Sequence, residues 1–251
     1  MGHPFEEHSE AEVPATPEEV WAAIATGPGI DSWFMGRSDV QPGTDGAIRT
    51  AMGEYTMESG VTAWDPAHRL AYRRREASDE RFFALEFLIE GRDGGSTVLR
   101  NVATGFLPGE DWADEYEAMT LGGAMYFRTL AEYLTYFAGR FAVPVTADGP
   151  AGTTWAGDRA AFLRATGLPG SAGRGDRMSF TVGGIGRVDG VVYFANADTI
   201  GIRTPDTLYR FMRGFGRPPF VDGKLFAPEA DPAGVQLAWE SWLSQVLAPK
   251  G

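Results

Sequence analysis

Cysteine is absent from the 251 residues, which removes disulfides, thiolate nucleophiles and every zinc site built on cysteine. Histidine is nearly absent too. Of the 3 histidines, His3 and His8 fall in a polar leader and only His68 lies in the body of the chain, so a Ser-His-Asp triad or a multi-histidine metal centre has almost no material. Basic residues are scarce: 22 Lys and Arg face 34 Asp and Glu, a net charge of −12. That balance repels phosphate backbones and anionic membrane surfaces, so no nucleic-acid partner is expected. No apolar run approaches the roughly 18 residues of a spanning helix, and the leader lacks the basic and apolar regions of a signal peptide. The expectation is a cytoplasmic protein without membrane insertion. No metal or other cofactor is implied, and the oligomeric state is left open. Carboxylates, arginine and tyrosine are the chemistry that remains.

What is present suffices for a folded protein. Hydrophobic residues make up 43% and aromatics 12%, with 16 Phe and 7 Trp, enough apolar surface to offset chain entropy. The length suits one large domain or two modest ones. At Thr16-Pro17-Glu18-Glu19 a hydroxyl, a proline at the first helical position and a glutamate three residues after the hydroxyl mark a helix start. This helix carries Val20, Trp21 and Ile24 inward and is expected to stop at Gly27-Pro28-Gly29, before a short turn or helix at 31–34.

From 46 to 106 the pattern changes to short alternating stretches at 47–52, 55–64, 69–76, 81–90 and 97–106. They read as strands of an antiparallel sheet, with 10–13 as a possible opening strand. Asp93-Gly94-Gly95 is the clearest hairpin signal. A helix then runs over about 111–139, with Tyr116, Met119, Gly123, Phe127, Leu130, Leu134 and Phe137 on one face. Gly122 and Gly123 inside it imply either close backbone approach or space left open, tight packing against the sheet being the simpler account.

Residues 143–152, rich in Pro and Gly, read as a linker between a domain at 1–142 and a smaller α+β domain at 153–251. In the latter a helix at 157–167, strands at 178–182, 188–195, 199–204 and 208–212, and a helix at about 231–247 repeat the order helix, strands, long helix in shorter form. Gly183-Gly184-Ile185-Gly186 lacks the lysine and helix start of a phosphate loop and reads as a hairpin turn.

Several motifs in order carry a resemblance: Glu12-Val13-Pro14-Ala15-Thr16-Pro17-Glu18-Glu19-Val20-Trp21, Trp33-Phe34, Trp64-Asp65-Pro66 with Arg69-Leu70-Ala71-Tyr72, and Gly95-Ser96-Thr97-Val98-Leu99 running to Gly105-Phe106. Over about 5–140 the chain resembles the SRPBCC or START-like superfamily, in the branch named after the activator of Hsp90 ATPase homologue. The resemblance implies an α+β helix-grip fold: an antiparallel sheet wrapped around a long C-terminal helix, with a cavity between them. It implies a hydrophobic or amphipathic small molecule as the partner, the second half being a reduced copy or an accessory domain. An enzyme of the polyketide cyclase or aromatase kind is an alternative, with Arg74, Tyr72, Glu54 and Asn101 as its candidates. A chaperone-associated or other protein-interaction module is another.

Alternation nominates the cavity wall. In 81–90 Phe83, Leu85, Phe87 and Ile89 share one face; in 69–76 Leu70, Tyr72, Arg74 and Glu76 do; in the last strand Leu99, Asn101 and Ala103 do. With Trp33 and Phe34 at the mouth and Met119, Gly123 and Phe127 on the helix, the candidate ligand-binding set is Trp33, Phe34, Tyr72, Arg74, Phe83, Phe87, Asn101, Met119, Gly123 and Phe127. An inward Arg74 needs an acceptor, from Glu76, Glu54, Glu58, water or a ligand, whereas a basic edge at Arg73, Arg74 and Arg75 is the competing account.

Overall fold

The computed structural model describes residues 3–75, 81–108, 112–214 and 217–247, so Glu76 and Asp111 lie outside the described residues. The chain divides into two compact units, Met1–Phe141 and Ala142–Gly251.

In the first unit β1 (His3–Val13) is followed by α1 (Pro17–Ala25) and α2 (Gly27–Asp31). The strands β2 (Arg37–Gln41), β3 (Ala47–Met52), β4 (Tyr55–Asp65), β5 (Arg69–Arg75), β6 (Phe82–Gly91) and β7 (Thr97–Leu107) come next, and α3 (Trp112–Tyr136) closes the unit. The sheet is antiparallel in the order β1-β7-β6-β5-β4-β3-β2. This is the helix-grip arrangement: a meander whose last strand is joined by the first, with the long helix following.

At α1 the capping box forms as the residues require, Thr16 Oγ1 accepting from the Glu19 amide and the Glu19 carboxylate accepting from the Thr16 amide. Helix α1 ends at Ala25, before Gly27-Pro28-Gly29 as expected, and those three residues open a further helix. Thr26 caps a second helix there, its hydroxyl accepting from the Gly29 amide at 3.0 Å, and Pro28 sits in the first turn where its missing N–H costs nothing. The expected polar leader is likewise corrected. His3 to Glu12 continue β1, and their polarity reflects one solvent-facing side of an edge strand.

The second unit comprises β8 (Val143–Asp148), α4 (Trp155–Thr166), β9 (Arg177–Val182), β10 (Gly186–Ala195), β11 (Thr199–Arg203), β12 (Thr207–Met212), β13 (Phe220–Leu225) and α5 (Pro232–Val246). Its sheet runs β8-β13-β12-β11-β10-β9, so first and last strands again pair and a helix follows. Most of the expected linker 143–152 is therefore a strand. Val145 and Ala147 alternate into the core, and Pro144 is tolerated because β8 is an edge strand with β13 as its sheet neighbour. Strand β13 was not anticipated from the sequence at all.

Candidate functional site

The register of the first sheet lays out its inner face row by row. Arg74, Phe83, Gly105 and Phe5 stand side by side on β5, β6, β7 and β1. The next row is Tyr72, Leu85, Ala103 and Glu7, and beyond it come Leu70, Phe87, Asn101 and Ser9. The two ends of this face differ. Leu70, Phe87, Ile89 and Leu99 are buried, and so are Met125, Leu130 and Leu134 in the C-terminal half of α3 and Phe137 just after it. Toward the other end Tyr72, Arg74, Phe83, Leu85, Ala103, Phe5 and Glu7 face inward yet keep accessible surface. Among the described side chains from Glu115 to Ala124 on α3, none is buried. The face is thus covered more completely at one end than at the other, although Gly105 and Leu107 on β7 are buried at the more accessible end.

Trp33 belongs to the more completely covered end. It is 5% exposed, its indole N–H donates to the Ala23 carbonyl at 3.0 Å, and its ring meets those of Phe34 and Phe87 edge-on at 5.5 and 6.4 Å. It is buried in packing beside Phe87. Phe34 is half-buried and lies 4.4 Å from the ring of Tyr126 on α3. Tyr72 lies 6.5 Å from Phe87, and burial raises its phenol pKa, so it stays protonated and able to donate at neutral pH.

Arg74 is half-buried at its inward register position, while its neighbour Arg73 on the outer face stacks its guanidinium 3.9 Å over Phe82. Of the partners proposed for Arg74, Glu58 is held by Arg49 at 2.8 Å and Glu54 is exposed in the β3–β4 turn. Asn101 donates to the Glu86 carbonyl at 3.4 Å, which partly satisfies its amide. Met119 and Phe127 are half-buried and Gly123 is exposed.

A Cβ built at Gly122 or at Gly123 meets nothing within 4 Å. Close approach to the sheet is therefore not why these glycines stand in the middle of a 25-residue helix. Replacing either by alanine is expected to stabilise the first unit by about 1 kcal/mol, the helix-propensity difference, because the methyl group enters open space. Urea unfolding of the two single variants checks this, and a loss of stability would show a packed contact there.

Sequence reasoning passed over Glu7, Phe5 and Tyr126, and placed Tyr116 on α3 without a role. Phe5 lies 6.5 Å from Phe83 and 5.6 Å from Tyr116, and the Tyr116 hydroxyl donates to Glu7 Oε1. A cavity of about 280 Å³ opens here, lined by His3, Pro4, Phe5, Glu6, Leu107 and Tyr116. The available signal was alternation: extending β1 backwards from Val13 in steps of two reaches Ala11, Ser9, Glu7 and Phe5.

The second unit has an aromatic core, and a cavity of about 520 Å³ lies at Thr166, Arg177, Ser179, Asp189 and Arg203. Phe162, Phe180, Tyr209, Phe211, Trp239 and Trp242 form one aromatic cluster with ring centroids 4.2 to 6.4 Å apart, and all six are at most 9% exposed.

Residues 14–135 match the family model described as Activator of Hsp90 ATPase homolog 1-like protein. No curated protein matches the chain. Among solved structures it is similar to the di-domain ARO/CYC BexL from the BE-7585A biosynthetic pathway, at 14% identity and a TM-score of 0.48, with 98% of this chain and 100% of that one covered. It is similar to DynU16 from the dynemicin biosynthetic locus at 18% identity and a TM-score of 0.43, covering 97% of this chain and 96% of that one. The Aha1 dimer of Colwellia psychrerythraea, at 16% identity and a TM-score of 0.43, covers 54% of this chain and 99% of its own. The ordered motifs of the first half and the helix-grip arrangement of its sheet agree with the match of residues 14–135 to the model of the Activator of Hsp90 ATPase homolog 1-like family.

Proposed function

We propose that the first unit binds a hydrophobic or amphipathic small molecule between the inner face of its sheet and α3. One observation carries the reading: Tyr72, Arg74, Phe83, Leu85 and Ala103 face inward and retain accessible surface, whereas the same strands are fully buried two to four residues further along. A core that had only to be packed would close over these side chains as it does over Leu70 and Leu99. The wall is mostly apolar with a few polar groups, Arg74, Tyr72 and Asn101, which suits an apolar body with hydrogen-bonding substituents. A protein-docking reading has less to rest on. The exposed large apolar residues among those described, Tyr55, Tyr136, Phe141 and Leu237, sit on separate segments.

Because the proposed chamber is in the first unit, one ligand per chain is expected. Native mass spectrometry of freshly purified protein, compared with the denatured sample, should show a mass increment of one small molecule that denaturation releases. An apolar fluorescent probe titrated into stripped protein should saturate at one equivalent. Failure of both would remove the small-molecule reading, and two equivalents would overturn the assignment to the first unit. Turnover of a bound compound would turn the same chamber into the cyclase-like site that the sequence left as an alternative.

A further inference from the structure

Strand β1 carries four carboxylates close together, and the pleat sorts them. Glu6, Glu10 and Glu12 are exposed on the outer face, where Glu6 meets His8 at 2.6 Å, Glu10 meets Arg100 and Glu12 accepts from Ser96 Oγ at 2.7 Å. Glu7 turns the other way. It is half-buried in the row of Tyr72, Leu85 and Ala103, beside the rings of Phe5 and Phe83. On the inner face of β1, β5, β6 and β7 it is the one carboxylate among the described residues.

A carboxylate set into an apolar wall loses hydration and must recover it from donors. Tyr116 supplies one, and its phenol pKa is raised chiefly by that hydrogen bond. Glu7 has about four acceptor sites in all, so others are left for water or for a ligand. Donating to Glu7 commits the Tyr116 hydroxyl proton and orients the carboxylate beside the 280 Å³ cavity that Tyr116 lines. Glu7 therefore accepts hydrogen bonds and, as a carboxylate, donates none to an occupant.

We propose that Glu7, together with Tyr116, is the specificity-determining group of the chamber, selecting occupants that bring a hydroxyl or another hydrogen-bond donor to this end. This rests on the small-molecule reading and adds the polarity of the ligand to it.

The test uses the full chain and two probes of closely similar shape, 2-naphthol, which donates, and 2-methoxynaphthalene, which does not. The wild type should bind 2-naphthol about tenfold more tightly, the scale of one hydrogen bond to a charged acceptor. In Glu7→Leu the two affinities should converge through loss of 2-naphthol binding alone. Glu7→Gln keeps shape and one acceptor, protects the test against misfolding of the leucine variant, and should fall between. Equal affinities in the wild type, or a preference unchanged in both variants, would overturn the role of Glu7 while leaving the chamber standing. No binding of either probe to the wild type would overturn the small-molecule reading and this inference with it.

Discussion

Replacing Asp222 by alanine should lower the stability of the second unit by about 3–5 kcal/mol, the cost of breaking a buried ion pair from one side. Asp222 on β13 lies directly opposite Arg210 on β12, and Lys224 projects from the same face of β13 two residues on. The carboxylate accepts from Arg210 Nε at 3.0 Å and from its Nη2, and its other oxygen stands 3.2 Å from Lys224 Nζ. All three side chains are at most 2% exposed. Alanine would leave two cations facing each other in a medium where charge is poorly screened, without the carboxylate they share. The triple replacement Arg210→Met, Asp222→Leu and Lys224→Met removes every charge together and should be tolerated better than the single change. Urea unfolding with peptide-level hydrogen exchange would show the loss confined to the second unit. A change below about 1 kcal/mol for Asp222→Ala would mean that solvent reaches the cluster.

A loss of similar size, about 3–5 kcal/mol, is expected for Trp239→Ala. The indole is fully buried, with ring centroids at 4.9 Å from Tyr209, 5.3 Å from Phe211, 5.5 Å from Trp242 and 6.0 Å from Phe180. Truncation forfeits the transfer free energy of the ring and leaves a cavity that its rigid aromatic neighbours refill poorly. Leu237 on the same helix is 66% exposed, so Leu237→Ala is the control and should shift stability by less than about 0.5 kcal/mol. The Trp239 variant also probes the difference between the units. If its cavity takes up an apolar probe and the stoichiometry rises from one to two, the aromatic filling is what closes the second interior. Equal losses in the two variants would show that the cluster is not a core.

Local signals were read where local physics governs. Thr16 to Glu19 specify a capped helix because the bonding partners lie within one turn of each other. The strands β3 to β7 were legible from alternation and turn residues, and 183–186 does form the turn between β9 and β10. Signals failed where a neighbour supplied the missing term. Polar β1 looked like a leader because the sequence does not show that Arg100 meets Glu10 or that Ser96 meets Glu12 across the sheet. Pro144 made β8 look like a linker because tolerance of proline depends on which strand is an edge, and strand order is a property of the whole sheet. Trp33 was placed at the cavity mouth, and the sequence does not show that its N–H meets the Ala23 carbonyl.

The sequence by itself determined α1, the strands β3 to β7, the long helix α3, the resemblance carried by the motifs of the first half and the alternation that puts Leu70, Tyr72 and Arg74 on one face of β5 and Phe83 and Phe87 on one face of β6, since each follows from periodicity or from motifs within a few residues. Only the tertiary structure decided which of those positions are covered and which stay accessible, because burial depends on how the two halves of α3 cover the sheet. It likewise separated Glu7 from its neighbouring carboxylates. It also showed that Arg210, Asp222 and Lys224, which the sequence analysis did not single out, lie in strands buried on both sides. Charge and spacing are written along the chain, but the dielectric around a charge is set by residues far from it in sequence.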